Sequence, residues 1–156
     1  MSALEQSPRI TPFLWFDANA EEAVDFYLSV FRNSRKLTEF RNPGEAPVPV
    51  GAVLTITFEL DGMQFMALNG GANHKFNEAV SFVVRCDSQN EVDHYWSRLA
   101  DGGSEIACGW LRDKFGLCWQ IVPARLPELI GNPKAMRAMM NMKKLDIAEL
   151  ERAARE

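Results

Sequence analysis

The stretch CGWLRDKFGLCWQIVP (108–123) gathers two thiols, Cys108 and Cys118, with a guanidinium at Arg112, a carboxylate at Asp113 and a carboxamide at Gln120. A thiol is a good nucleophile only as the thiolate, which needs a neighbouring base or cation. Arg112 is the candidate, because a hairpin turning at Lys114-Phe115-Gly116 makes the segments carrying the two cysteines neighbouring strands. The competing reading is that a buried cysteine is a small apolar filler. Strand alternation puts Cys118, Gln120 and Val122 on one face and Leu117, Trp119 and Ile121 on the other. Gln120 can hydrogen-bond a ligand carbonyl or amide, or serve as a polar wall residue that meets only water. Asp113 reads as the turn-former of D-K-F-G. Trp110, next to Gly109, is the aromatic best placed to wall a pocket, whereas Trp96 reads as structural.

A second set lies in AVLTITFEL (52–60), where Leu54, Ile56, Phe58 and Leu60 alternate with Thr55, Thr57 and Glu59. The polar three either line a concave face or meet solvent. Metal chemistry has little to work with. There are two histidines, His94 in a predicted helix and His74 in a predicted loop, which argues against a two-histidine, one-carboxylate centre. No G-x-S-x-G, H-E-x-x-H or phosphate-binding-loop pattern occurs, and neither Gly70-Gly71 nor Gly102-Gly103 stands in the strand-to-helix turn of a dinucleotide or S-adenosylmethionine site.

Elements must position these groups. ITPFLWF (10–16) reads as a strand and NAEEAVDFYLSVF (19–31) as a helix behind Asn19 as N-cap. SRKLTEF (34–40) is a second strand, and RNPGEAPVPVG (41–51) an irregular loop that reads as a lid or a subunit contact. AVLTITFEL and MQFMAL (63–68) form a hairpin through Asp61-Gly62. AVSFVVRC (79–86) then restarts the pattern, followed by a helix at about 88–101, capped by Asp87 or Ser88 and stopped at Gly102-Gly103, and by the 108–123 hairpin. The phrases AVDFY (23–27) and EVDHY (91–95) match at an offset of 68, which also lays Leu14 on Phe82 and Ser29 on Ser97. Two copies of a β-α-β-β-β module follow. The tail NPKAMRAMMNMKKLDIAELERAARE is helical by composition, and Met136, Met139, Met140 and Met142 give it an adaptable surface.

The chain has 156 residues, a size that suits one domain, and a net charge of −4, which offers no field for nucleic acid or anionic lipid. The start MSALEQSPRI lacks a basic, then apolar, leader, and no run approaches a membrane span, so a cytoplasmic protein is expected. Three cysteines without a C-x-x-C pair read as reduced thiols.

Paired βαβββ modules are the mark of the vicinal oxygen chelate superfamily, which includes glyoxalase I and the extradiol dioxygenases. Within it the chain resembles the PhnB-like family, also described as 3-demethylubiquinone-9 3-methyltransferase, over roughly residues 9–150. The resemblance is carried by LWFDANAEEAVDFY, FNEAVSFVV, EVDHYW, CGWLRDKFGLCWQIVP and MKKLDIAEL. It implies an α+β fold: two βαβββ modules (about 9–69 and 79–123) forming curved mixed sheets with helices on the outer face, plus a C-terminal helical tail (125–155), in a single domain. It also implies that the face bearing Cys118 and Gln120 looks into a cavity. The superfamily's metal ligands project from the first and last strands of each module, positions that fall here on Pro12, Met66, Ser81 (Val80 if the helix sets the register) and Gln120. Of these only Gln120 has a ligating atom of any strength, so no metal and no other cofactor are expected.

The reading that follows is a small-molecule-binding protein or a metal-free enzyme of unknown reaction, with its ligand on the concave sheet. Candidate contacts are Gln120, Cys118, Trp110, Cys108, Thr55, Thr57, Glu59, Met66 and Ser81, and no residue is assigned a catalytic role. The methyltransferase description has no motif behind it. One alternative is a metal-dependent lyase or oxygenase using Glu59, His74 and Gln120, and another is a dimeric structural module without a ligand. The expected partners are a small organic ligand and a second copy of the chain, since open sheet edges, the 41–51 loop and the methionine tail favour a homodimer. Neither nucleic acid nor membrane is expected.

Overall fold

The protein is described by a computed structural model covering residues 2 and 4–156. The chain forms two compact units, one ending at Lys75 and the other spanning Phe76–Glu156.

In the first unit the order is β1 (Phe13–Phe16), α1 (Ala20–Val30), β2 (Ser34–Arg41), β3 (Val53–Leu60) and β4 (Met63–Asn69). The sheet order is β1-β4-β3-β2, with β1 parallel to β4 and the other pairs antiparallel. The β3–β4 hairpin turns at Asp61 and Gly62, both left-handed (φ 48° and 86°), the two-residue turn whose twist matches the strands. One face of the sheet is apolar. Ile56, Phe58, Phe65 and Ala67 are buried there, and Tyr27 of α1 stacks on Phe58 with ring centroids 6.5 Å apart. Each large side chain removed from water in this way contributes about 1.5–3 kcal/mol. Asn19 holds the N-cap position of α1, but its side chain makes no capping bond. That role passes to Asn69 at the end of β4. Its Oδ1 accepts the Ala20 N–H at 2.9 Å, and its Nδ2 donates to the Val53 carbonyl at 3.0 Å and to Glu21 at 2.7 Å. A buried amide from the sheet thus replaces the local cap.

The second unit repeats the order with β5 (Ser81–Cys86), α2 (Gln89–Ala100), β6 (Ser104–Glu105), β7 (Trp110–Arg112) and β8 (Cys118–Pro123), and its sheet order β5-β8-β7-β6 is the same as the first. The twofold module architecture of the expected α+β fold is therefore present. The two matching phrases do lie in equivalent helices, but burial aligns them one residue later, at an offset of 69. Ala23, Tyr27 and Val30 face the first core as Val92, Trp96 and Leu99 face the second, and the N-cap positions Asn19 and Ser88 keep the same spacing. Tyr95 is only half-buried, and Trp96 fills the place of Tyr27. Ser88 caps α2 by accepting the Glu91 N–H at 3.2 Å, while the Glu91 carboxylate reaches back past the N-cap to accept the Asp87 N–H at 3.0 Å.

The tail comprises three short helices, α3 (Leu126–Leu129), α4 (Pro133–Met140) and α5 (Ile147–Arg155), packed around Leu129, Met139, Leu145 and Leu150. Gln89 of α2 ties this tail down: its Nε2 donates to the Leu145 carbonyl at 3.1 Å and its Oε1 accepts the Ile147 N–H at 2.8 Å. Among the described residues, no helix is long and apolar enough to cross a membrane.

Candidate functional site

Each sheet keeps one face free of helix, and the predicted contacts divide between these two faces. In the first unit, strand register sets Phe13, Met66, Thr57 and Thr38 in one row and Trp15, Leu68, Thr55 and Phe40 in the next. Glu59 stands between Gln64 and Arg35 and accepts from Arg35 Nε at 3.0 Å. A groove of about 490 Å³ opens on this face, lined by Ser7, Arg35, Thr38, Thr57, Glu59 and Gln64 among others. Gln64 Nε2 donates to Ser7 Oγ at 2.6 Å, so the N-terminal segment forms one wall. Thr57 and Glu59 therefore line a concavity, whereas Thr55 and Met66 lie on the same face outside the groove's lining. The Arg35–Glu59 pair is largely solvated on the arginine side, and such pairs contribute about 1 kcal/mol or less, so either partner can be drawn to a ligand.

In the second unit the helix-free face carries Ser81 and Val83 of β5, Cys118, Gln120 and Val122 of β8, and Trp110 and Arg112 of β7. Register places Trp110 directly opposite Gln120 and Arg112 opposite Cys118. Gln120 Nε2 donates to Ser81 Oγ at 3.0 Å, which leaves its carbonyl oxygen facing the same side. The expected alternation holds, since Trp119 and Ile121 are buried on the helix side. Gln120, Ser81 and Trp110 are thus brought together on one surface, and Cys118 lies on the same side of the sheet without being accessible there.

Cys108 is not part of that surface. It precedes β7, in a turn with φ +56°, and packs against the tail's apolar cluster instead of pairing across the hairpin with Cys118. The Gly109 that follows is also left-handed (φ 87°), and the strand begins only after both. Arg112, opposite Cys118 in register, is ion-paired with Glu78. Cys118 is fully buried. At the end of β5, burial pushes the Cys86 thiol up to about 12, aided by the nearby carboxylates of Glu91 and Asp87. Asp113 is the turn-former: its Oδ1 accepts from the N–H groups of Phe115 (2.8 Å) and Leu117 (3.1 Å), and its Oδ2 accepts the indole N–H of Trp119.

The alternative donor set does not assemble within its unit. His74 packs edge-to-face on Trp15 at 4.7 Å. Trp15 stands opposite Leu68 and Glu59 opposite Gln64, four positions apart on β4, or roughly 13 Å at about 3.4 Å per residue. The inherited positions fare no better. Pro12 offers only a carbonyl that already accepts the Met66 N–H at 2.9 Å, and Ser81 is bonded to Gln120. This donor set does not fit a divalent ion, which calls for carboxylate or imidazole donors. Among the described residues, no three His, Cys, Asp or Glu side chains group as a metal site. A further depression of about 530 Å³ among the tail helices is lined by Arg125, Glu128 and Glu151, whose charges are engaged with one another.

The sequence model of the family described as 3-demethylubiquinone-9 3-methyltransferase matches residues 8–122. A solved structure from Bacillus cereus, described as a putative 3-demethylubiquinone-9 3-methyltransferase, PhnB protein, is 34% identical, covers 75% of this chain and 100% of its own, and superposes with a TM-score of 0.68. Protein PA1353 from Pseudomonas aeruginosa is 21% identical over 75% of this chain and 98% of its own, with a TM-score of 0.61. A glyoxylase/bleomycin resistance protein/dioxygenase domain from Frankia sp. EAN1pec is 15% identical over 77% and 94%, with a TM-score of 0.50. These last two share the fold. No curated protein matches the chain. The family match stops at residue 122, short of the resemblance expected to about 150, so the three tail helices lie beyond it.

Proposed function

The chain belongs to the PhnB-like family described as 3-demethylubiquinone-9 3-methyltransferase, within the vicinal oxygen chelate superfamily, and on that premise we propose that it binds a small organic ligand against its helix-free sheet faces, as a binding protein or a metal-free enzyme. The observation that carries this reading is the groove of about 490 Å³ lined by Thr57, Glu59, Gln64 and Arg35. A concavity of a few hundred Å³ with convergent polar groups is what a ligand site requires, and a purely structural module would fill it with its own side chains. Gln120, hydrogen-bonded to Ser81 and facing Trp110, supplies a second polar and aromatic contact surface. Methyl transfer from S-adenosylmethionine has no support in the backbone, because the turns from β1 to α1 and from β5 to α2 contain no glycine.

Native mass spectrometry of the protein incubated with a small-molecule extract tests the reading. Wild type is expected to hold an organic adduct that Thr57→Val/Glu59→Gln or Gln120→Leu releases. A wild type that carries no adduct under gentle ionisation removes the proposal. Elemental analysis after chelator-free purification is expected to find no stoichiometric zinc, nickel, manganese or iron.

The homodimer belongs to the same proposal. Phe13, Phe40 and Val50 are exposed in the first unit, and Val80 and Val83 in the second. A second chain covering these residues is the partner they suit. Light scattering at micromolar concentration tests it, and a monomer mass would refute it.

A further inference from the structure

The thiol of Cys108 and the thioether of Met140 approach to 3.9 Å. This approach is held by backbone. Cys108 and Gly109 form a turn closed by the Trp110 N–H on the Ala107 carbonyl at 2.9 Å, and both of its central residues are left-handed. Asparagine or glycine is the usual first residue of such a turn, so a cysteine there is locally disfavoured and the surroundings must hold it. They do: the N–H groups of Cys108 and Gly109 each donate at 2.8 Å, to the carbonyls of Met142 and Lys143. The turn is thereby fastened to the segment following α4, and α4 carries Met140. One helical turn earlier, Met136 occupies the same side of α4, and both methionines are substantially exposed.

We propose that Cys108 and Met140, with Met136 as third donor, form a binding site for a soft monovalent cation of the Cu(I) class. Thiolate and thioether donors select such ions over hard ones. With metal–sulfur bonds of about 2.3 Å, two sulfurs 3.9 Å apart subtend roughly 115° at the ion, close to trigonal, with one position left for a third sulfur. Methionine has the rotatable bonds to reach it. Charge also selects. A thiolate and a monovalent cation sum to zero and can rest on the apolar cluster of Met139, Leu145 and Leu150, whereas a divalent ion would leave a net charge there. On binding, the Cys108 S–H bond breaks, its proton passes to solvent, and the sulfur's electron pair forms the bond to the ion, with no change of oxidation state. The site shares no residue with the proposed organic-ligand faces, so either can fail without the other.

The test is an anaerobic titration with Cu(I) against a chromogenic chelator that competes for the ion. Wild type is expected to hold one equivalent, with a sulfur-to-copper charge-transfer band and affinity that rises with pH. Cys108→Ser should abolish tight binding, while Met140→Leu and Met136→Leu should each weaken it about tenfold or more with the fold intact by circular dichroism. Cys86 and Cys118, both buried, should take up copper only after denaturation. Retention of copper by Cys108→Ser overturns the site. Wild-type affinity in the Met136→Leu/Met140→Leu double variant overturns it equally, reducing it to a solitary thiol.

Discussion

Asp113 accepts the indole N–H of Trp119 at 2.9 Å, and both residues are buried. The carboxylate also gathers two backbone N–H groups, so it closes the β7–β8 turn and fixes the strand that carries Gln120. Charge-assisted hydrogen bonds contribute about 1.5–3 kcal/mol each, and a buried donor left without a partner costs a similar amount. Asp113→Ala should therefore lose roughly 3 kcal/mol or more in urea unfolding. Asp113→Asn can keep the backbone bonds while presenting an amide N–H to the indole, and should lose about half of that.

Gly70 lies under the Trp15 ring. A methyl group there would stand 2.4 Å from the indole, which is pinned by its N–H to the Gly71 carbonyl at 2.8 Å. Gly70→Ala should swing the ring off its site, release the His74 contact and shift the tryptophan emission toward that of a solvated indole. An unchanged spectrum and melting temperature would contradict this packing.

The thiols should differ in reactivity. With Cys86 and Cys118 buried and Cys108 half-buried, a disulfide reagent at neutral pH should modify one thiol per native chain and three in denaturant. The Cys86 pKa is raised on folding, from an ordinary value of 9.0 to about 12. Its contribution to stability is thus fully present below pH 9.0 and is lost as the pH rises toward 12. Cys86→Ala should flatten the alkaline fall in stability over that window relative to wild type.

Gln89 joins α2 to the tail through two backbone contacts, and Gln89→Ala should cost about 2 kcal/mol and speed amide exchange in α5. Beside it, hydrogen bonds from Lys144 and Gln89 hold the Asp93 carboxyl below its ordinary value of 3.8. That contribution is present above pH 3.8 and is lost as the pH falls below it. Because both partners are nearly half exposed, its worth is under about 1 kcal/mol and should fade with added salt.

Much of this fold was legible in the chain because apolar periodicity carries it: α1, α2, the Asp61-Gly62 hairpin and the two faces of β8 lie where alternation and turn chemistry put them. The phrase that suggested duplication was informative about element order and misleading about register. Val-Asp-x-Tyr recurs at 68, while burial follows 69, because Trp96 can fill the place of Tyr27 as a large aromatic of another type. What stayed hidden was non-local. Asn69 caps a helix that begins 49 residues before it, and nothing near Asn19 signals that. Cys108 looked like a strand residue since its neighbours in CGWLRD are strand-formers, and the tail carbonyls that hold it left-handed lie more than thirty residues onward. Of the residues on the helix-free faces, Gln120 and Ser81 were singled out through carried-over positions, whereas Arg35, Thr38 and Gln64, which line the first unit's groove, gave no signal because single polar residues on a strand resemble any solvated face.

The Asn69 bridge also dictates when the first unit can form during synthesis. Helix α1 is complete at Val30, yet the amide that closes its first turn, like the parallel partner of β1, belongs to β4 and arrives only with residue 69, 39 residues later. At about 5–20 residues per second that is a delay of several seconds. Throughout it β1 has no neighbour, and an 11-residue helix is too short to persist alone. The nascent segment must stay unstructured until Asn69 clears the ribosome, and then strand pairing, helix docking and capping occur together, so a chain stalled before that residue leaves behind an open, apolar polypeptide for chaperones or proteases to meet.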